Sequence, residues 1–316
     1  MNKNLKEVRL LSLLFSQVIN AIMLGSTYSL IAIGFSLFFG VMNIVVFSAG
    51  DVAIVAAFSI LVLVGTGLLP VLDSILPHAF SSVIIIFIGA LITALLMLLM
   101  YRLVIKPFEG KSPLMPLLST IASGIVLREL IGIFYPQGRN PQPFPQMLPS
   151  GMLSSDLMIS WRNVIIILAT LCLVALLYWF VNKTKIGLSI QAVSQNREAA
   201  IMVGLNWRLS ILVTFLIGGF LLGVSGFLVA SYSEVVRFDM GSMYGLKGFS
   251  AAVVGGLGSM FGGIAGGMLI AFIEVFVTAY IPGGSAYSGV AGFLMVIIFI
   301  LFKPEGILGE KSVEKV

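Results

Sequence analysis

Apolar runs near 10–28, 30–48, 51–69, 82–101, 114–134, 162–181, 209–233, 244–257, 260–281 and 288–302 alternate with short polar segments along the 316-residue chain. A helix needs about 20 residues to cross the hydrocarbon core, so the pattern predicts a polytopic helical bundle. The runs 244–257 and 288–302 are short for a span, and the first two are poorly separated. The segment 182–208 has a different pattern. Within it Ile190, Val193, Ala200 and Val203 are interspersed with Gln191, Gln195, Asn196, Arg197 and Glu198. That spacing predicts one short helix over 188–203, closed by Gly204 as a breaker. Two readings of it stand: a solvated connector lying on lipid headgroups, or a helix presented to a partner.

Composition agrees with the bilayer. Hydrophobic residues make up 59% of the chain, charged residues only 10%, and the mean hydropathy is +1.11, whereas soluble domains carry roughly 25% charged residues. The net charge of +5 does not point to nucleic acid, because the cations are divided among several loops rather than gathered on one soluble face. Cys172 is the one cysteine; it excludes a disulfide framework and reads as a mid-span packing residue. The N-terminus, with Lys3, Lys6 and Arg9 before an apolar run, resembles a secretory signal but lacks a small-x-small cleavage site, and reads as a retained first anchor.

Charge orients the spans. The segments 1–9, 102–111, 182–208 and 303–316 hold 3, 3, 4 and 3 of the 18 Lys and Arg residues, while 65–81, 135–160 and 234–243 hold 0, 1 and 1. Cytoplasmic loops carry the excess of cations, so the first group is expected inside and the second outside. Both termini are then cytoplasmic and the number of crossings even: ten, or eight if 244–257 is re-entrant. Ten would give two inverted five-helix halves, about 10–134 and 162–302, joined by the outer loop 135–160 within a single permease domain, 1–316. Inverted halves are a common transporter plan.

Of 34 glycines, many fall between Gly255 and Gly267. Small residues there permit close helix packing, or mark a broken helix lining a cavity. No Gly-Lys-Ser/Thr follows, so the run is not a phosphate-binding loop. Ionisable groups at membrane depth are costly and tend to be functional. Asp51 either caps the helix it begins or lines a route. Glu274 pairs with a neighbouring helix or faces a wet cavity. Arg128 and Glu129 read as local anchors, and His78 as an inert surface histidine. Thr27 with Ser26 and Ser29, and Ser119 and Thr120 with Ser123, line a polar route or bond across helices. No nucleophile–base pairing or metal-ligand spacing appears, which argues against catalysis by this chain.

Four stretches carry a resemblance. Gly25 to Asp51 reads GSTYSLIAIGFSLFFGVMNIVVFSAGD, Lys185 to Asn206 reads KIGLSIQAVSQNREAAIMVGLN, Lys247 to Gly267 reads KGFSAAVVGGLGSMFGGIAGG, and Lys303 to Glu310 reads KPEGILGE. In this order, over nearly the whole chain, they resemble the branched-chain amino acid ABC-importer permeases, and more narrowly the first permease of the pair. The resemblance implies an all-α transmembrane bundle of the type II ABC-importer kind in the inner membrane. It implies a second permease subunit as heterodimer partner, two cytoplasmic ATPases that bind the ATP, and an extracytoplasmic solute-binding protein. No cofactor is implied for this chain itself. The loop helix becomes a coupling helix docking into an ATPase, with Glu198, Ala199, Ala200 and Gly204 matching the Glu-Ala-Ala…Gly pattern and Arg197 beside them as a further coupling candidate. Thr27, Asn43, Ser48, Asp51, Ser119, Thr120 and Glu274 are the candidates for the translocation route.

One departure concerns substrate. Where the family shows Asn-Phe/Leu-Ala-His-Gly, this chain has Val46-Phe47-Ser48-Ala49-Gly50. Branched-chain or other hydrophobic amino acids are the expected solutes; urea or short amides remain open. The rival from another class is an ion-coupled secondary transporter using Asp51 and Glu274 as coupling carboxylates.

Overall fold

The computed structural model describes residues 2–149, 151–154, 159–303 and 305–309, the side chains of 2–11 and of 154 excepted. Its helices are α1 (Asn2–Met42), α2 (Ala49–Gly65), α3 (Leu68–Asp73), α4 (His78–Met100), α5 (Leu114–Phe134), α6 (Trp161–Lys183), α7 (Lys185–Gln195), α8 (Arg197–Met202), α9 (Trp207–Ser233), α10 (Met240–Gly255), α11 (Met260–Tyr280) and α12 (Gly284–Phe302). Helix α4 continues through a π-helical turn, Tyr101–Ile105, and a 3-10 turn, Lys106–Phe108. Short strands sit between the helices: β1 (Gln142–Pro143) pairs antiparallel with β4 (Val235–Val236), and β2 (Met152–Ser154) with β3 (Ile159–Ser160). The protein is a polytopic helical bundle, with 7 helices among the described residues long and apolar enough to cross a membrane.

The first two apolar runs are one helix. No proline and no charge interrupts residues 10–42 after Arg9, and the glycines there are tolerated because apolar spans accept glycine well. Helix α1 therefore runs 41 residues without a break, and the reading of ten spans loses one. The turn falls later, where Asn43 takes a left-handed φ of 55°. Residues 43–48 leave helical geometry, and the Phe47 N–H donates to Thr120 Oγ1 at 3.3 Å.

Contacts assign each helix end to one of two ends of the bundle. Asn163, at the start of α6, donates to Asn20 of α1 at 2.9 Å, and the ion pair Arg162–Glu234 lies at the same end. At the opposite end Gly40 of α1 approaches Ser194 of α7 and Gly258, Glu109 meets Arg197, and the Leu308 N–H reaches the Gly255 carbonyl at 2.9 Å. The N-terminal end of α1 and the segment 305–309 are thus at opposite ends. Helix α1 thus runs through the first two apolar runs, for which two crossings were expected, as one continuous helix.

Packing repeats itself across the bundle. Helix α1 lies along α11 as α9 lies along α4, and α10 rests on α1 as α2 rests on α9. Close contact explains the glycine run: a Cβ on Gly255 would stand 1.9 Å from the Gly262 carbonyl oxygen. The run is a tight α10–α11 turn, with Gly256 and Gly258 at positive φ. Cys172, expected to pack, is exposed on α6.

Cysteine labelling tests the assignment of ends. In a background without Cys172, cysteines at Asn4 and Gln142 should label from one side of the membrane and one at Gln195 only from the other. Labelling of the Asn4 position from the Gln195 side would restore the even topology. Ser312, the other informative position in the tail, lies outside the described residues.

Candidate functional site

Helix α10 is only 16 residues long and packs against α1, α2, α11 and α12. Its glycines admit α2: a Cβ on Gly241 would stand 2.6 Å from the Asp51 Cα. About one turn on, Tyr244 and Lys247 meet α1 and α11. Lys247 Nζ lies 2.8 Å from Glu274 Oε2 and donates to Tyr28 Oη at 2.9 Å, while the Tyr28 hydroxyl donates to the same carboxylate oxygen at 2.8 Å. The three groups close a ring across α1, α10 and α11. The Lys247 side chain is 16% exposed and that of Glu274 6%. The ammonium also sits 5.2 Å from the Tyr28 ring and 5.8 Å from that of Tyr244, within cation–π range.

A second pair flanks α2. Arg128 of α5 donates to Asp51 through Nε at 3.3 Å and through its terminal nitrogen at 3.4 Å. Asp51 lies in the first turn of α2 and makes no capping bond. Arg128 ignores its sequence neighbour Glu129, which pairs with Arg139 at 2.9 Å. Both carboxylates singled out from the sequence are thus neutralised inside the bundle by a cation from another helix.

The loop 182–208 folds as two helices rather than one. Asn196 adopts an extended conformation, φ −155° and ψ 103°, and its side chain accepts from the Ala199 N–H at 3.0 Å. Asparagine is a favoured N-cap, so the predicted 188–203 helix breaks there into α7 and α8. Arg197 turns inward: it donates to Glu109 Oε1 at 2.7 Å and its guanidinium lies 3.7 Å from the Trp207 ring. Ala200 is buried, whereas Glu198 and Ala199 are exposed, and Glu198 has no hydrogen bond or ion pair among the described residues. Beyond them Ile201, Met202 and Val203 are exposed, the last two by 84% and 75%. Gly204, at φ 80°, ends α8, and the Leu205 N–H returns to the Ala200 carbonyl at 3.0 Å. That is the left-handed glycine stop of a helix C-terminus.

The sequence profile of the family described as "Branched-chain amino acid transport system / permease component" matches residues 17–299. The chain belongs to that permease family. The permease is 29% identical over 95% of its length to a high-affinity branched-chain amino acid transport system permease protein, BraD, of Pseudomonas aeruginosa, covering 97% of that protein. It is 27% identical to LivH of Escherichia coli, a protein of the same description, with the same coverage on both sides. A galactose/methyl galactoside import permease protein, MglC of Escherichia coli, is 27% identical over 71% of the permease and 64% of its own length. Among solved structures, "PsaBC from Streptococcus pneumoniae in complex with Fab" aligns at 10% identity over 90% of this chain with a TM-score of 0.48, too low to carry an argument.

The other route candidates scatter in the permease. Thr27 is buried with its hydroxyl bonded to the Leu24 carbonyl of its own helix. Asn43 is exposed at the end of α1. Ser119 bonds the carbonyls of Val104 and Pro116. Only Ser48, Asp51 and Thr120 gather, around the 43–48 turn. Val46 and Ala49, where the family shows Asn and His, are buried in an apolar core with Val52 and Ala53. Sequence reading missed Lys247, Tyr28, Trp207 and Glu109 as partners. The signal for Lys247 was its own position, a lone cation inside the apolar run 244–257.

Breaking a buried ion pair strands a charge at a cost of about 3–5 kcal/mol, while an apolar replacement of both partners is often neutral. Lys247→Met should therefore lower the thermal unfolding midpoint of the detergent-purified permease clearly, and Lys247→Met with Glu274→Met should recover much of the loss. A double variant whose loss equals the sum of the losses of Lys247→Met and Glu274→Met alone would show that the pair is not coupled.

Proposed function

We propose that this chain is the membrane-spanning permease subunit of an ATP-driven importer of branched-chain or other hydrophobic amino acids, acting by alternating access. The observation that carries the reading is α8. Ile201, Met202 and Val203 are exposed apolar residues on a short helix at the cation-rich end, beside an unpaired Glu198. Contiguous exposed apolar surface marks an interaction site. Arg197 anchors this surface to α4 through Glu109 and to α9 through Trp207, so a push on α8 is delivered to both helices. Such a surface suits two ATPase subunits that bind the ATP, with a second permease beside this one and an extracytoplasmic binding protein delivering solute. The names of BraD and LivH support the solute class.

Orientation follows in the same reading. The end carrying α7, α8 and residues 102–111 is cytoplasmic, because cations concentrate there. With α2 and α10 as shortened crossings the chain crosses nine times, the N-terminal end of α1 outside. The inverted halves become α1, α2, α4 and α5 against α9, α10, α11 and α12, with α6 linking them, which the repeated packing supports.

Ion-coupled transport is the weaker reading. Asp51 and Glu274 are each held by a cation within the bundle, and a coupling carboxylate has to exchange its partner for the ion.

Glu198→Lys and Gly204→Pro test the docking surface. Surface changes away from special features cost within about 0.5 kcal/mol, so Glu198→Lys should leave the permease inserted and abundant. Proline fixes φ near −65° and removes the turn held at φ 80°. Both variants should abolish substrate-stimulated ATP hydrolysis by the reconstituted complex. Normal uptake by Glu198→Lys with unchanged ATPase copurification would return α8 to the status of a connector.

A further inference from the structure

A cavity of about 260 Å³ opens where the end of α4 meets the start of α9. Its lining includes Arg102, Lys106, Glu109, Trp207, Arg208 and Leu212. The one acid among them, Glu109, is already taken by Arg197 at 2.7 Å. Arg102, Lys106 and Arg208 have no carboxylate partner among the described residues, and the Arg208 guanidinium lies 5.3 Å from the Trp207 ring. The cavity therefore holds three uncompensated cations. The backbone arranges them: the π-helical turn Tyr101–Ile105 is a feature that recurs at functional sites, and residues four apart on a helix, as Arg102 and Lys106 are, lie on one face.

Its surroundings are those of a membrane surface. Leu103 and Leu209, each the sequence neighbour of one of the two arginines, are exposed by 66% and 46%. Cationic donors beside outward-facing leucines match a group that carries a phosphate and an acyl chain together. Guanidinium groups bind phosphate through paired charge-assisted hydrogen bonds, and basic pockets between spans on the cytoplasmic side take anionic headgroups.

We propose that this cavity binds the phosphate of an anionic phospholipid headgroup, with the acyl chains against Leu103 and Leu209. The site rests on membrane embedding with this end at the headgroup level, and does not require α8 to dock an ATPase. Occupancy would brace Arg208 at the foot of α9, immediately after the α8 loop.

Native mass spectrometry of the purified permease complex tests the site, after exchange into detergent with equal amounts of phosphatidylglycerol and phosphatidylcholine. Retained phosphatidylglycerol should exceed phosphatidylcholine by about tenfold, a preference worth about 1.4 kcal/mol. The triple variant Arg102→Gln, Lys106→Gln, Arg208→Gln should lose that preference, and Arg208→Gln alone should weaken it should the triple variant fail to fold. Lys183→Gln with Lys185→Gln, exposed cations of the same end, should keep it. Equal retention of the two lipids by the unaltered complex, or an undiminished preference in the cavity variants, would overturn the proposal. So would displacement of phosphatidylglycerol by millimolar inorganic phosphate, which would make free phosphate the ligand. Loss of ATPase copurification with lipid preference intact would also overturn it, making the cavity a protein-docking surface.

Discussion

A chain that leaves helical geometry inside a bilayer has to hide its backbone from lipid, because each unsatisfied peptide group there costs several kcal/mol. This permease does so in residues 43–48, ahead of the short helix α2. Thr120 serves the Phe47 N–H directly. For α10 the shielding is steric: α1, α2 and α11 close around it, and its glycines bring backbones within reach of each other. A Cβ on Gly245 would stand 3.1 Å from the Gly50 Cα, and one on Gly248 only 2.2 Å from Ile31 Cγ2. The long helices are arranged around this requirement.

The same enclosure determines where charge is placed. Lys247 with Glu274 and Asp51 with Arg128 bring equal numbers of positive and negative groups into the bundle, so neither short helix carries a stranded charge. These pairs join α10 to α11 and α2 to α5, and the Tyr28 hydroxyl adds α1. In the proposed importer this polar centre is the fixed part, and motion enters from the cytoplasmic end. There Arg197, Glu109 and Trp207 make α8 a rigid extension of α4 and α9, while its outer face of Ile201, Met202 and Val203 is left without cover.

Much of this was legible before any coordinates. Composition and hydropathy pointed to the membrane bundle, and the apolar spacing of the basic polar loop to helix within it. The boundaries failed where the decisive contact was remote. Nothing in residues 10–48 announces that Gly25 and Gly34 sit inside a continuous helix, because glycine breaks helices in water but is accepted in apolar spans. The split at Asn196 was visible as a capping residue, but the apolar spacing across it was read as one period. Glu274 was recognised as unexplained at membrane depth, yet its partner lies 27 residues earlier on another helix. Positive charge at residues 3–9 pointed to an inside N-terminus, while in the bundle Asn20 of α1 bonds Asn163 at the start of α6, a contact that no local pattern announces.

In the proposed importer α8 is the contact through which an ATPase drives this permease. A photo-crosslinking amino acid at Met202, 84% exposed on α8, measures it directly in the assembled complex in membranes. A cross-link to the ATPase subunit is expected from Met202 and none from Gln142 at the opposite end. Cross-links from Met202 to lipid alone, in a complex that still hydrolyses ATP in response to solute, would contradict it.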